Sequence, residues 1–171
     1  FLEVIGIGRR PASDVLGDVV SRMKALPRAR GRVGLSPHAP YSTVPDLLRL
    51  CARAASARNW QIATHIAESS LEYDMFVRGR GEMHKWLQRS SRDMSDCGSC
   101  SPVEHLNRCG LLDTKQLLAV HANYLKSSDF GLLAAKEVSV VHCPRSHHYF
   151  GHRPFPWQRM VKAGVNVCIG T

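Results

Sequence analysis

Short apolar runs alternate with amphipathic segments along almost the whole chain, and that alternation limits the folds open to it. Phe1-Leu2-Glu3-Val4-Ile5-Gly6-Ile7-Gly8, Arg32-Val33-Gly34-Leu35-Ser36 and the stretch 60–64 read as strands. So do Gln116-Leu117-Leu118-Ala119-Val120, Val138-Ser139-Val140-Val141 and Val165-Asn166-Val167-Cys168-Ile169. Between the first two, Val15, Leu16, Val19, Val20, Met23 and Leu26 recur at helical spacing, with Ser13 or Asp14 as the expected N-cap and Pro27 as the stop. Leu47, Leu48, Leu50, Cys51, Ala54 and Ala55 give a second buried helix face, capped by Ser42 or Thr43 with Pro45 in its first turn. Further helices are expected near 71–78, 82–88, 102–109, 127–135 (capped from Ser127-Ser128-Asp129) and 156–163, whereas 144–155 reads as a loop of His, Arg and aromatics. About five β-α units therefore precede a sixth strand, which implies an α/β fold with a parallel sheet covered by helices. A doubly wound open sheet and a (β/α)8 barrel both satisfy the pattern. No Gly-x-Gly-x-x-Gly opens the first helix, so a dinucleotide-binding version lacks support.

The chain has 171 residues, enough for one ordinary domain with a core. At 44% hydrophobic and 22% charged residues it reads as globular. No apolar run reaches the ~18 residues of a membrane span, and the first residues lack the basic leader of a signal peptide. These features point to a cytoplasmic protein without membrane association. The formal net charge is +9, but Arg9, Arg10, Arg28, Arg30, Arg32, Arg49, Arg53, Arg58, Arg78 and Arg80 are scattered and not interleaved with aromatics. We therefore expect a basic surface rather than a nucleic-acid interface. Of the six cysteines, Cys51, Cys143 and Cys168 lie in apolar periodic segments, as reduced buried thiols do. Cys97-Gly98-Ser99-Cys100, with His105 and Cys109 nearby, admits a small zinc site, but no second Cys pair completes a ribbon. The favoured reading of 90–101 is a polar surface insertion.

Histidines fall at successive expected strand ends: His38, His65, His121 and His142, with Glu68 three residues beyond His65. In a parallel α/β fold those ends share one face, where sites form. A single histidine there is more often structural; several on successive strands shift the balance toward a site. His84 and His105 fall in helical segments and are expected at the surface. His147, His148 and His152 share one loop and either line the mouth of the site or are merely exposed.

The runs Ser36-Pro37-His38-Ala39-Pro40-Tyr41-Ser42, Thr64-His65-Ile66-Ala67-Glu68-Ser69, Val120-His121-Ala122-Asn123, His142-Cys143-Pro144-Arg145-Ser146 and 164–171 together resemble the amidohydrolase superfamily. The resemblance is to the branch of cytosine and guanine deaminases, adenosine-analogue deaminases and triazine chlorohydrolases. It implies a partial (β/α)8 TIM barrel, approximately strands 3 to 8, filling residues 1–171 as a catalytic domain truncated at both ends. It implies a metal-dependent hydrolase acting on carbon–nitrogen bonds other than peptide bonds, a deaminase of an amino-substituted heterocycle such as a nucleoside or nucleobase analogue. A chlorohydrolase, another C–N hydrolase or a catalytically dead barrel are the alternatives.

The resemblance also implies roles. His65 matches a metal ligand, and the metal is one divalent ion, zinc or else iron. Glu68 matches the carboxylate that carries a proton from water to the leaving group and contacts substrate. His121 matches a catalytic histidine that polarises water or substrate. His38 matches a substrate-binding histidine, and His142-Cys143-Pro144 a segment shaping the pocket. The partner implied is a small heterocyclic molecule, with a homo-oligomer open for the full-length protein. The family's His-x-His ligand pair occurs nowhere in this sequence, and its Asp after Gly-Thr would follow Thr171. We therefore expect a fragment without activity of its own.

Overall fold

The computed structural model describes residues 1–26, 31–115 and 117–171. Six strands, β1 (Leu2–Val4), β2 (Gly34–Pro37), β3 (Gln61–Ile66), β4 (Leu117–His121), β5 (Ser139–His142) and β6 (Asn166–Ile169), form one sheet in the order of the sequence. Every pair is parallel. Strict sequential order decides between the two architectures. A doubly wound sheet must reverse its strand order at a switch point, and this sheet never does. It is an arc of a (β/α)8 barrel, and all its strand C-termini lie on one edge.

The connections carry α1 (Ala12–Ala25), α2 (Pro45–Arg58), α3 (Ser70–Arg78), α4 (Glu82–Arg89), α5 (Pro102–Arg108), α6 (Ser127–Ala135), α7 (Pro144–Tyr149) and α8 (Trp157–Lys162). One apolar layer joins Ile62 and Ile66 of β3, Leu117 and Ala119 of β4 and Val140 of β5 to Leu48 and Ala52 of α2, Val103 and Leu106 of α5, Leu133 of α6 and Met160 of α8. A second joins Val4 and Leu35 to Leu16, Val19 and Met23 of α1 and Leu47 and Cys51 of α2. Burial alternates along β3: Ile62, Thr64 and Ile66 are buried toward the helices, while Gln61, Ala63 and His65 are half-buried on the opposite face. The sheet edges expose apolar side chains: Phe1 and Ile5 beside β1, and Ile169 of β6 with Trp157 and Val161 of α8. No helix is long and apolar enough to cross a membrane among the described residues.

Several local expectations gave way to tertiary partners. The first strand ends at Val4, because Gly6 leaves the ladder to clasp the loop before α2: its N–H donates to Ser42 and its carbonyl accepts from Val44, both at 2.9 Å. The N-caps of α1, α2 and α6 are Pro11, Val44 and Lys126 rather than the hydroxyl and carboxylate residues expected. The Ser42 hydroxyl is turned to the His38 ring at 2.6 Å and the Thr43 hydroxyl donates to the Val4 carbonyl at 3.2 Å, and neither makes a cap bond to α2. Residues 144–149, read as loop, form α7, which Pro144 starts. The Pro27 stop, and Gln116 at the head of the fourth strand, lie outside the described residues, as do Arg28 and Arg30.

The segment 90–101 is a loop with exposed positions, as expected, but it is anchored to the body of the fold. Arg92 and Cys100 are buried, and the backbone N–H groups of Gly98 and Ser99 donate to the Phe76 carbonyl. Gly79 and Gly98 pack backbone to backbone, where a Cβ on Gly98 would lie 3.1 Å from the Gly79 Cα. His105 is likewise buried, at 4% exposure, rather than on the surface. Burial pushes its pKa down to about 4, so it is a neutral ring tilted against Phe76 at 4.7 Å. His84 is half-buried.

Candidate active site

β3 delivers the centre of the site. The His65 N–H donates to the His38 carbonyl at 2.8 Å, and His65 Nδ1 lies 3.0 Å from the same oxygen. A carbonyl only accepts, so Nδ1 carries the proton and Nε2 keeps its lone pair. The His38 backbone is fixed in turn by its N–H, which donates to Val4 of β1 at 3.0 Å. The His38 ring stands edge-on to His65 with centroids 4.9 Å apart, and to Tyr41 at 5.7 Å. Burial, then the His65 ring, lower the His38 pKa, with Glu3 and Glu68 opposing. Burial and the carboxylates of Glu72, Glu68 and Glu3 push the Tyr41 hydroxyl up to about 12, so it remains a phenol.

β4 brings His121 alongside. Its ring stacks on His65 at 5.4 Å with the planes 23° apart, and its Nε2 is 3.3 Å from Glu68 Oε1. Burial lowers the His121 pKa most; Glu68 pulls it up, while His65, His152 and His142 lower it further. The chain turns sharply here: Ala67, His121 and Ala122 have φ of 48°, 77° and 50°, in the region unfavourable to residues bearing a Cβ. Backbone bonds hold these turns, with Ala122 N–H donating to Ile66 at 2.9 Å and Asn123 N–H to Ala67 at 3.0 Å.

β5 and β6 form one wall. His142 stacks on Phe155 at 4.0 Å, and His147 of α7 approaches His142 at 5.1 Å. Burial, then His147, lower the His142 pKa. His147 Nδ1 is 3.1 Å from Asn123 Oδ1, and His152 Nδ1 is 3.3 Å from the Tyr124 hydroxyl. His147 and His152 thus face inward, while His148 is exposed. Gly170 donates to the His142 carbonyl at 2.7 Å, and a Cβ there would sit 2.9 Å from Cys143 Sγ.

The structure therefore brings His38, His65, Glu68 and His121 together at one sheet edge, with His142 on the adjoining wall. It does not gather a closed metal site: among the described residues no three His, Cys, Asp or Glu side chains are arranged to hold a metal ion. That applies equally to the Cys97, Cys100, His105 and Cys109 group, whose His105 instead faces Asp96 at 3.6 Å and Cys109 Sγ at 3.9 Å. With Nδ1 of His65 turned to the His38 carbonyl, Nε2 has the lone pair that a metal ligand needs.

Three supporting residues escaped the sequence reading. Arg92 pairs both terminal nitrogens with Asp96 at 2.7 Å and donates to the Pro40 carbonyl at 3.1 Å, fastening 92–96 to the loop after His38. Asn123, 1% exposed, donates from Nδ2 to the Glu68 carbonyl at 3.0 Å. Glu72, fully buried, accepts from the N–H groups of Ala67 and Glu68, both at 2.9 Å. Burial raises its pKa to about 7, against the pull of those two amides. The spacing Ser69-x-x-Glu72 was a visible signal, because it matches a helix capping box.

Residues 15–171 match the amidohydrolase family. The chain is 30% identical over 162 residues to an aminodeoxyfutalosine deaminase of Deinococcus radiodurans, covering 89% of this chain and 38% of that protein. It is 33% identical over 146 residues to a 5-methylthioadenosine/S-adenosylhomocysteine deaminase of Halothermothrix orenii, covering 84% of this chain and 30% of that protein. The crystal structure of Helicobacter pylori aminofutalosine deaminase superposes over 100% of this chain and 43% of its own, with a TM-score of 0.83 and 20% identity. At that identity the likeness is one of fold. The chain thus spans less than half the length of each of these proteins.

Proposed function

The chain belongs to the amidohydrolase family, and from that premise we propose that it is the larger arc of a barrel that hydrolytically deaminates an amino-substituted heterocycle of the nucleoside or nucleobase class. The observation carrying this reading is the Glu68 carboxylate 3.3 Å from His121 Nε2, beside a His65 ring 5.4 Å from His121. Relatives named as 5-methylthioadenosine/S-adenosylhomocysteine deaminase and 5'-deoxyadenosine deaminase support the substrate class.

In this reading Glu68 is the proton carrier: it accepts a proton from the attacking water and returns it to the departing amine. Replacing C–NH2 by C–OH and releasing ammonia consumes one water, so one carboxylate relaying one proton completes the exchange. Burial lowers the His121 pKa, and its Nε2 lies 3.3 Å from Glu68 Oε1, so the ring stands beside the carboxylate where charge develops during the reaction. His38, aligned by Ser42, lies where it can contact the heterocycle. His65 would hold one divalent cation, zinc or else iron, through Nε2, with the remaining ligands coming from outside these 171 residues. Such a cation supplies Lewis acidity and makes water acidic enough to act as a nucleophile near neutral pH. We further read residues 1–171 as a barrel truncated at both ends, of a cytoplasmic enzyme that acts on a small molecule and is free to oligomerise.

The test is Glu68→Gln in the longer protein, assayed for ammonia release on adenosine analogues and guanine and for chloride release on chlorinated heterocycles. Retained metal with a rate loss of about 10²–10⁴-fold is expected. Unchanged turnover would overturn the assignment, and chloride release in place of ammonia would make the enzyme a chlorohydrolase.

A further inference from the structure

Glu72 occupies the third position of α3, where a capping box would send its carboxylate back to the N–H of Ser69, the N-cap. Half of that box is present, since Ser69 Oγ accepts from the Glu72 N–H at 3.2 Å. The other half is redirected. The two carboxylate oxygens pass over Ser69 and take the N–H groups of Ala67 and Glu68, one each, at 2.9 Å. Burying a carboxyl group with no solvent exposure is costly, and Ser69 alone already caps the helix. What the longer reach adds is a fixed Ala67–Glu68 peptide, just where Ala67 sits at a φ of 48°.

Asn123 closes the opposite flank. Its Nδ2 donates to the Glu68 carbonyl at 3.0 Å, and its own N–H donates to the Ala67 carbonyl at 3.0 Å. Both backbone polar groups of Glu68 are therefore engaged by side chains, one from α3 and one from the end of β4. The Glu68 side chain, by contrast, is 24% exposed and contacts His121. The backbone is clamped and the carboxylate is left open.

We propose that Glu72, with Asn123 across from it, is a positioning residue that holds the Glu68 backbone so that its carboxylate meets His121. The proposal rests on the reading of Glu68 as the proton carrier. It separates two jobs that adjoin in sequence: Ser69 starts the helix, and Glu72 aims the catalytic group.

The experiment compares Glu72→Gln, Ser69→Ala and Glu68→Gln in the longer protein, with amide hydrogen exchange of the first two in the 171-residue chain. Glutamine keeps one acceptor oxygen but turns an NH2 toward the second amide. Glu72→Gln should lose about 10²-fold in kcat, the scale for a group displaced by about 1 Å, with KM and bound metal unchanged. The Ala67 and Glu68 amides should exchange faster while the middle of α3 stays protected. Ser69→Ala should loosen the first turn of α3 and leave kcat in place. If Glu72→Gln turns over like wild type while Glu68→Gln is inactive, positioning is refuted and the reading of Glu68 stands. If Glu68→Gln is fully active, that reading fails and the positioning role falls with it. If Ser69→Ala and Glu72→Gln lose activity equally, Glu72 is only a helix cap. Should Glu72→Gln not fold, Asn123→Ala tests the clamp from its other flank by the same readouts.

Discussion

Replacing Asp96 by Asn should cost about 3 kcal/mol of folding stability. Arg92 has no exposed side-chain surface and Asp96 only 11%, and they meet through two parallel contacts of 2.7 Å. Removing one partner of a buried pair typically costs ~3–5 kcal/mol, because the remaining charge stays buried without compensation. Arg92 would retain the Pro40 carbonyl at 3.1 Å and the Asp93 carbonyl at 2.7 Å, which places the cost at the lower end. Domains of this kind hold only ~5–15 kcal/mol in total, so the loss is large. Urea titration followed by circular dichroism reads it directly. With a slope of ~1–3 kcal/mol/M, the midpoint should fall by about 1–3 M. The double variant Arg92→Met with Asp96→Leu removes both charges and should recover most of the loss. A single variant within about 1 kcal/mol of wild type, or a double variant no better than the single, would refute the reasoning.

Two further outcomes follow from the same structure. His105 is neutral in the fold, with its pKa lowered from 6.5 to about 4 by burial. The unfolded chain takes up a proton below pH 6.5 and the folded chain does not, so stability falls as pH drops from 6.5 toward 4, by roughly 3 kcal/mol at about 1.36 kcal/mol per pH unit. Denaturation of wild type and His105→Gln across that window should show the steeper loss in wild type; parallel curves would count against it. The 171-residue chain alone should bind zinc below one equivalent by elemental analysis, since no three ligand side chains converge among the described residues. Stoichiometric zinc would contradict this.

The strand ends were readable because they obey short-range rules. An apolar run of four to six residues followed by a polar residue sets where a parallel strand stops, and His121 and His142 end their strands in the sequence as in the fold, with His65 one residue before the end of β3. What those rules miss is competition from distant groups. Ser42 and Thr43 had the right chemistry for helix caps, but their side chains are turned to His38 and to the Val4 carbonyl instead. His105 looked solvated on its helix until Phe76 and Asp96 closed over it. Arg92 read as part of a polar loop because its acceptor at Pro40 is 52 residues away.

By itself the sequence determined the β-α alternation, the choice of parallel strands and the motif series that resembles the amidohydrolases. Those features depend on local periodicity and on residue types at fixed offsets. The alternation alone fits an open doubly wound sheet as well as a barrel arc; the motif resemblance pointed to the barrel, and the strand order of the tertiary structure shows it directly. Only the tertiary structure decided how Glu68 is held. Ser69-x-x-Glu72 has the pattern of a helix cap, and only the sharp turn at Ala67 between β3 and α3, with Asn123 arriving just beyond β4, sends that carboxylate to the amides of Ala67 and Glu68. A hydrogen bond goes to whichever partner the packing brings within reach, and the packing is a property of the whole sheet.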